Sequence, residues 1–241
     1  MPPPGVPPAV LPCGETALLV EVGGIREVLA LHAALEALGP ERLPGLADLV
    51  PAATTLLVVA ESPAVLTALR SEVTTVLASA ANWTAGGGPS APVRARSDVS
   101  AATGDVVEIA VHYDGEDLRE VARHTGLSPD EVVAAHTGST WTAAFGGFAP
   151  GFAYLAGGDP RLEVPRRSEP RTRVPSGAVG LAGSFSGIYP RSSPGGWQII
   201  GHTDVVVWDL ERDPPALLRP GVRVRFTTVS TDSRSAGGRR G

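Results

Sequence analysis

The chain contains no lysine: all 20 of its basic residues are arginine. That excludes a Schiff-base lysine, a phosphate-loop lysine and a biotin-attachment lysine, so any cationic chemistry falls to guanidinium groups, which bind carboxylates and phosphates bidentately. Cysteine is nearly absent. Cys13 stands alone, which rules out an internal disulfide and a cysteine metal cluster. No apolar run reaches the ~18 residues of a membrane span, and "MPPPGVPPAVLP" lacks the basic-then-apolar order of a secretory signal. The start reads as a disordered arm, and the chain as cytoplasmic and soluble. A net charge of −5 argues against a nucleic-acid surface.

Aromatic residues are also scarce, yet nine of the 12 lie between Trp141 and Trp208. Three of them fall in "GGFAPGFAYL" (Gly146–Leu155), among glycines and a proline that break helices and weaken strands. Between Gly146 and Gly201, 19 of 56 residues are Gly or Pro. With this aromatic load, such a composition predicts short strands and tight turns around one core.

The first part of the chain reads differently. "ALLVEV" (Ala17–Val22) and "TTLLVVA" (Thr54–Ala60) are strand-like. Arg26–Leu38 carries Val28, Leu31, Leu35 and Leu38 on one helical face and is stopped by Gly39-Pro40. Ser62 is placed to cap a second helix with Pro63 at its first position. These elements predict a small α/β domain over residues 8–96. From Asn82 to Gly104 periodicity disappears, which marks a domain boundary.

The second domain, 104–230, opens with a strand at Val106–Tyr113 and two short helices, roughly Asp117–Thr125 and Ser128–Thr137. Ser128, Pro129 and Glu131 form a capping box. The helix pair has the outline of a DNA-reading motif, but its second helix begins with Asp130 and Glu131 and carries no arginine, so DNA binding is rejected. Val205–Leu210 and Val222–Val229 are expected as closing strands, and the tail from Thr231 (231–241) as disordered.

No metal-ligand spacing, nucleophile elbow, Walker loop or dinucleotide fingerprint is present. His32, His124 and His136 are expected on the surface or partly buried; His202, after "PGGWQIIG", is balanced between site and turn residue. The sharpest feature is "PRRSEPRTRVP" (Pro165–Pro175), with Arg166, Arg167, Arg171, Arg173 and Glu169 in eleven residues. It is either a solvated loop or an anion site, since a charge-assisted hydrogen bond contributes ~1.5–3 kcal/mol.

"GFAPGFAYLAG", "PRRSEPRTRVPSGAVGLAGSFSGIYP" and "SPGGWQIIGHT" together resemble the B-subunit family of bacterial ATP-dependent 5-oxoprolinase, also called allophanate hydrolase subunit 1 or kinase-A-inhibitor-like. Relatives usually carry a Cys-Tyr-Gly-Gly-Glu-like segment where this chain has "VHYDGEDL". The resemblance implies an α+β protein, a small α/β N-terminal domain followed by a cyclophilin-like β-barrel. It implies a non-autonomous enzyme component that pairs with a homologue of the 5-oxoprolinase C subunit, together with the A subunit. The complex would open 5-oxo-L-proline to L-glutamate, with ATP used by the complex and no metal or biotin on this chain. The matching motifs give Glu169, His202 and Gln198 as candidate catalytic residues. They give Arg166, Arg171, Phe152, Tyr154, Ser176, Gly177, Gly195, Gly196 and Trp197 as candidate substrate- or anion-binding residues. Replacing Arg166 or Arg171 by alanine is expected to leave folding intact. Two other roles stay open: inhibition of a sensor histidine kinase, and a carboxyltransferase component acting on a urea-like substrate.

The boundary reading is testable directly. Ala85–Gly104 should be the first internal stretch cut in limited proteolysis; initial cleavage inside Trp141–Trp208 would contradict it.

Overall fold

The computed structural model describes residues 7–79 and 106–229. The expected boundary at Asn82–Gly104 and the tail from Thr231 lie outside the described residues. The chain falls into two compact units, Met1–Val99 and Ser100–Gly241, each with its own hydrophobic core.

In the first unit, strands β1 (Ala9–Cys13), β2 (Ala17–Glu21), β3 (Leu46–Pro51) and β4 (Thr55–Ala60) form an antiparallel sheet in the order β1-β2-β4-β3. Alternation fixes its inner face, because Leu18 and Val20 of β2 and Leu56 and Val58 of β4 are buried. Helices α1 (Ile25–Arg42) and α2 (Leu66–Ser79) cover that face with Val28, Leu31, Leu35, Leu69 and Val73. Each fully buried leucine contributes roughly 1.5–3 kcal/mol.

Gly39 leaves the helical region at φ 68° and ψ 178°, so α1 breaks there and only a short turn continues to Arg42. Ser62 does not cap: it is extended and makes no side-chain hydrogen bond, and Pro63–Val65 is a 3-10 turn leading into α2. The expected disordered arm is corrected from Ala9 onward. "AVLPC" pairs along its whole length with β2, and Pro12 is tolerated because β1 is an edge strand.

The second unit holds β5 (Val107–Val111), α3 (Leu118–Thr125), α4 (Pro129–Gly138), β6 (Thr140–Gly146), β7 (Ala153–Ala156), β8 (Arg171–Val174), β9 (Ala178–Ala182), β10 (Phe185–Ile188), β11 (Ser193–Gly195), β12 (Gln198–His202) and β13 (Arg223–Thr228). Seven of these strands form one sheet in the order β12-β9-β10-β7-β6-β13-β5, while β8 and β11 pair as a separate ribbon. The two edges of the seven-stranded sheet meet where His112 and His202 exchange backbone hydrogen bonds of 2.8 and 2.9 Å. Gly201 permits this, since a side chain there would sit 2.3 Å from the His112 carbonyl oxygen. The result is an α+β protein with a barrel-like sheet.

Strand β13 reads Arg-Val-Arg-Phe, with Val224 and Phe226 fully buried and both arginines exposed, so only one face is covered. Strand β9 is buried at every position. Val179 and Leu181 face the main core with α3 and α4, while Ala178 and Ala182 face a second cluster with Phe152, Tyr189 and Trp197. The capping box of α4 is present: the Glu131 N–H donates to the Ser128 hydroxyl, and the Ser128 N–H donates to Glu131 at 2.8 Å. Val205–Leu210 is no strand; it makes one isolated bridge, Trp208 to Ala216, and exposes Val206 and Leu210.

His136, expected at or near the surface, is completely buried. Its Nδ1 lies 2.7 Å from the Tyr113 hydroxyl, its Nε2 lies 2.9 Å from the Ser186 hydroxyl, and Phe226 stacks on its ring. Both ring nitrogens are thus satisfied without a positive charge. Burial pushes its pKa down to about 3.

A depressed histidine pKa means that below pH ~6.5 the unfolded chain takes up a proton the folded protein refuses. Stability from this group is full above pH ~6.5 and is lost as the pH falls toward the folded value. Between pH 7.5 and 5.5 the loss should be on the order of 1 kcal/mol, read as a lower denaturation midpoint. His136→Gln should start less stable but show a flatter profile. Equal slopes for the two proteins would contradict this assignment.

Candidate functional site

"PRRSEPRTRVP" is neither wholly a loop nor wholly solvated. Its C-terminal half is strand β8, and two of its guanidiniums converge on a carboxylate some 50 residues earlier in the chain. Asp117, only 3% exposed, stands at the start of α3. Its Oδ1 accepts from Arg167 Nη1 at 2.7 Å and Arg171 Nη2 at 2.8 Å, and its Oδ2 accepts from the Ile199 N–H at 2.6 Å. Arg171 Nη2 also donates to the exposed Glu116 at 3.1 Å. The hydrogen bond to Asp117 is the main cause holding the Arg171 guanidinium above its ordinary pKa.

The remaining arginines differ. Arg173 donates to the Ser192 hydroxyl at 3.1 Å. Arg166 is exposed and has no ion pair among the described residues. The Tyr189 hydroxyl lies in the same unit, close against Gly195. Burial raises the pKa of that hydroxyl, against the lowering effects of the Trp197 backbone N–H and the Arg166 charge, so the group is a neutral phenol at neutral pH. Gly195, paired with Arg171 across the ribbon, leaves the room this requires: a side chain there would lie 2.3 Å from the phenol oxygen.

Several sequence candidates gather here. Phe152 meets Tyr154, Tyr189 and Trp197 edge-on with ring centroids 5.3–5.6 Å apart. The Gly196 carbonyl accepts from the Arg167 N–H at 2.8 Å. Others serve the frame. Ser176 donates to the Pro190 carbonyl at 3.0 Å, and the Gly177 N–H donates to the Tyr189 carbonyl at 2.8 Å. Gln198 is buried and donates to the Pro165 carbonyl at 3.2 Å, while its Oε1 has no partner among the described residues. His202 lies at the sheet seam, its Nδ1 2.8 Å from Asp114 and its ring stacked on His112. The Glu169 side chain is exposed, and its backbone carbonyl accepts from Arg167 Nε at 3.4 Å.

Asp117, Glu116 and Tyr189 are not among the sequence candidates. In the sequence Asp117 is legible only as a helix start; its partners lie 50, 54 and 82 residues away. A cleft of about 260 Å³ beside α4 lies elsewhere, where Asp159 and Arg161 already satisfy each other. No group of three His, Cys, Asp or Glu side chains among the described residues is arranged to hold a metal ion.

This geometry corrects the expectation that both arginine substitutions spare the fold. Arg171→Ala would take one of two guanidiniums from a buried carboxylate that keeps Arg167 and the Ile199 N–H, and should cost about 1.5–3 kcal/mol. Arg166→Ala should stay within ~0.5 kcal/mol of the parent. Urea denaturation of the two variants in parallel checks the contrast, and equal midpoints would remove Arg171 from the frame.

Comparison with known proteins gives consistent matches. The chain is 47% identical over 128 residues to the 5-oxoprolinase B subunit of Bacillus subtilis (strain 168), covering 52% of this chain and 53% of that protein. It is 50% identical over 123 residues to the 5-oxoprolinase B subunit of Escherichia coli O157:H7, covering 50% and 56%. The chain thus spans little more than half the length of these curated relatives. The crystal structure of TTHA0988 superposes with a TM-score of 0.64 at 39% identity, over 89% of this chain and 40% of that one. The family model for the carboxyltransferase domain, subdomain C and D, matches residues 8–218. A match over that much of the chain means that it belongs to the carboxyltransferase-domain family, subdomains C and D.

Proposed function

We propose that this chain acts as the B subunit of an ATP-dependent 5-oxoprolinase complex, helping to convert 5-oxo-L-proline to L-glutamate. The observation that carries this reading is the 47–50% identity to proteins named as 5-oxoprolinase B subunits. The absence of a self-contained catalytic apparatus among the described residues is consistent with it. Ser186, which lies beside a histidine in the way an activated nucleophile does, is fully buried and closed to substrate.

Opening an unstrained lactam requires activation of the amide carbonyl and a place for the carboxylate of substrate or product. ATP hydrolysis in the complex would supply the activation, and in this reading a partner binds the ATP, in keeping with a sequence that carries no phosphate loop and no lysine. Here the chain's own contribution is binding and orientation. Arg166 presents an exposed guanidinium, and the half-buried Tyr154, packed against the buried Phe152 and Trp197, is the aromatic candidate open to solvent. His202, held by Asp114, and exposed Glu169 are the proton carriers in this reading. A homologue of the 5-oxoprolinase C subunit, with the A subunit, would complete the site.

The family model's own name favours a second reading: a carboxyltransferase component working with a biotin-bearing partner. The two readings separate by assay. Glutamate release from 5-oxoproline with ATP should be absent for the single chain and present for the reconstituted complex. Arg166→Ala should slow the complex by roughly 10- to 100-fold, matching the loss of one charged hydrogen bond. Robust turnover by the single chain would sink the first reading, and biotin-dependent carboxyl transfer without glutamate release would favour the second.

A further inference from the structure

The first unit carries a cavity that the proposed function does not use. It lies where α1 breaks at Gly39-Pro40 beside the start of β3, and has a volume of about 220 Å³. That is smaller than the ~300–1,000 Å³ of pockets that hold drug-sized ligands, so its occupant has few heavy atoms. Leu35, Leu43, Leu46 and Leu49 make its apolar lining. His32 and Glu36, one helical turn apart, make its polar side, and Asp48 lines it from β3. Among the described residues no arginine lines it. Arg42, at the end of α1, is already engaged by Glu72 of α2 at 2.7 Å.

Three features make this cavity electronegative. The first is Glu36, whose side chain stays about 25% exposed while its Oε2 has no hydrogen-bond partner among the described residues. The His32 Nδ1 stands 3.4 Å from that oxygen, without hydrogen-bond alignment. The second is the helix end. Pro40 has no N–H, so the Glu36 carbonyl lacks the donor that a continuing helix would supply four residues on. The regular part of α1 therefore ends at the cavity, with the negative end of its dipole. The third is Asp48, whose Oδ1 accepts from the Leu49 N–H at 2.8 Å and whose charge has no ion pair among the described residues. We propose that the cavity binds a small organic cation, a primary ammonium group on a short hydrocarbon body. The ammonium donates to the Glu36 carboxylate while the body packs on the leucines. An anion would meet Glu36, Asp48 and the helix C-terminus, all of the wrong sign. A neutral alcohol would gain the leucines alone. The site lies wholly within the first unit and does not depend on the reaction served by the second.

The test uses the full chain and three probes of one size: n-butylammonium, n-butanol and butyrate. Backbone amide shifts and calorimetry at pH 8 and low salt are the readouts. Butylammonium should bind with a dissociation constant on the order of 1 mM, the range open to so small a ligand. It should bind ~10-fold more tightly than butanol, the scale of one charge-assisted hydrogen bond, and butyrate should not bind. The amide shifts should concentrate between His32 and Leu49. Glu36→Gln keeps the size of the side chain and removes its charge, and should bring butylammonium to within about 2-fold of butanol. Urea denaturation run alongside shows whether this variant is folded, and the wild type's preference for the cation carries the test if it is not. Butanol binding as tightly as butylammonium, saturation by neither, or shifts spread over the whole acidic surface would each overturn the proposal. So would an unchanged preference in a folded Glu36→Gln.

Discussion

The carboxylate of Asp117 is the constraint on which the second unit's surface depends. It ties the start of α3, the Arg167 turn, strand β8 and the backbone of β12 to two oxygen atoms. It makes no capping hydrogen bond to its own helix, yet its charge lies at the helix N-terminus, where a negative group is favoured. Removing a buried charge from such an arrangement costs more than the pair itself contributes, because the partners are left desolvated and unmatched. The ribbon of β8 and β11 is held to the rest of the unit through this point and through Val174 packed in the aromatic cluster.

A second buried polar system solves the opposite problem. His136 carries no net charge and finds a hydroxyl for each ring nitrogen, while the Trp141 indole donates to its backbone carbonyl at 3.0 Å. Asp117 is tolerated in the interior because opposite charges surround it; His136 is tolerated because it stays neutral.

Elements whose causes are local are legible in the sequence. The capping box at Ser128, the break at Gly39-Pro40 and the apolar strand at Thr55–Ala60 all follow from residues within one turn or one strand. Strand β1 is hidden because proline signals a breaker, and only its place at a sheet edge makes Pro12 harmless. Val205–Leu210 is rich in β-branched and aromatic residues like a strand but finds no continuous partner. His136 lies on a helix whose exposed and buried faces its short sequence does not separate. The arginine segment is visible as a charge run, but its division into Arg167 and Arg171, which hold the fold, and Arg166, which does not, depends on a carboxylate recruited across the unit.

The aromatic glycine-proline stretch shows how local and distant causes combine. Gly147 and Phe152 close a turn between β6 and β7, with the Gly147 N–H donating to the Phe152 carbonyl at 2.9 Å. A side chain at 147 would collide with the Phe152 ring at 2.3 Å. The small residue therefore exists for the aromatic one, which in turn packs against Tyr189 and Trp197. Trp197 immediately precedes the strand whose Ile199 N–H binds Asp117, so the aromatic wall and the charged latch share one backbone.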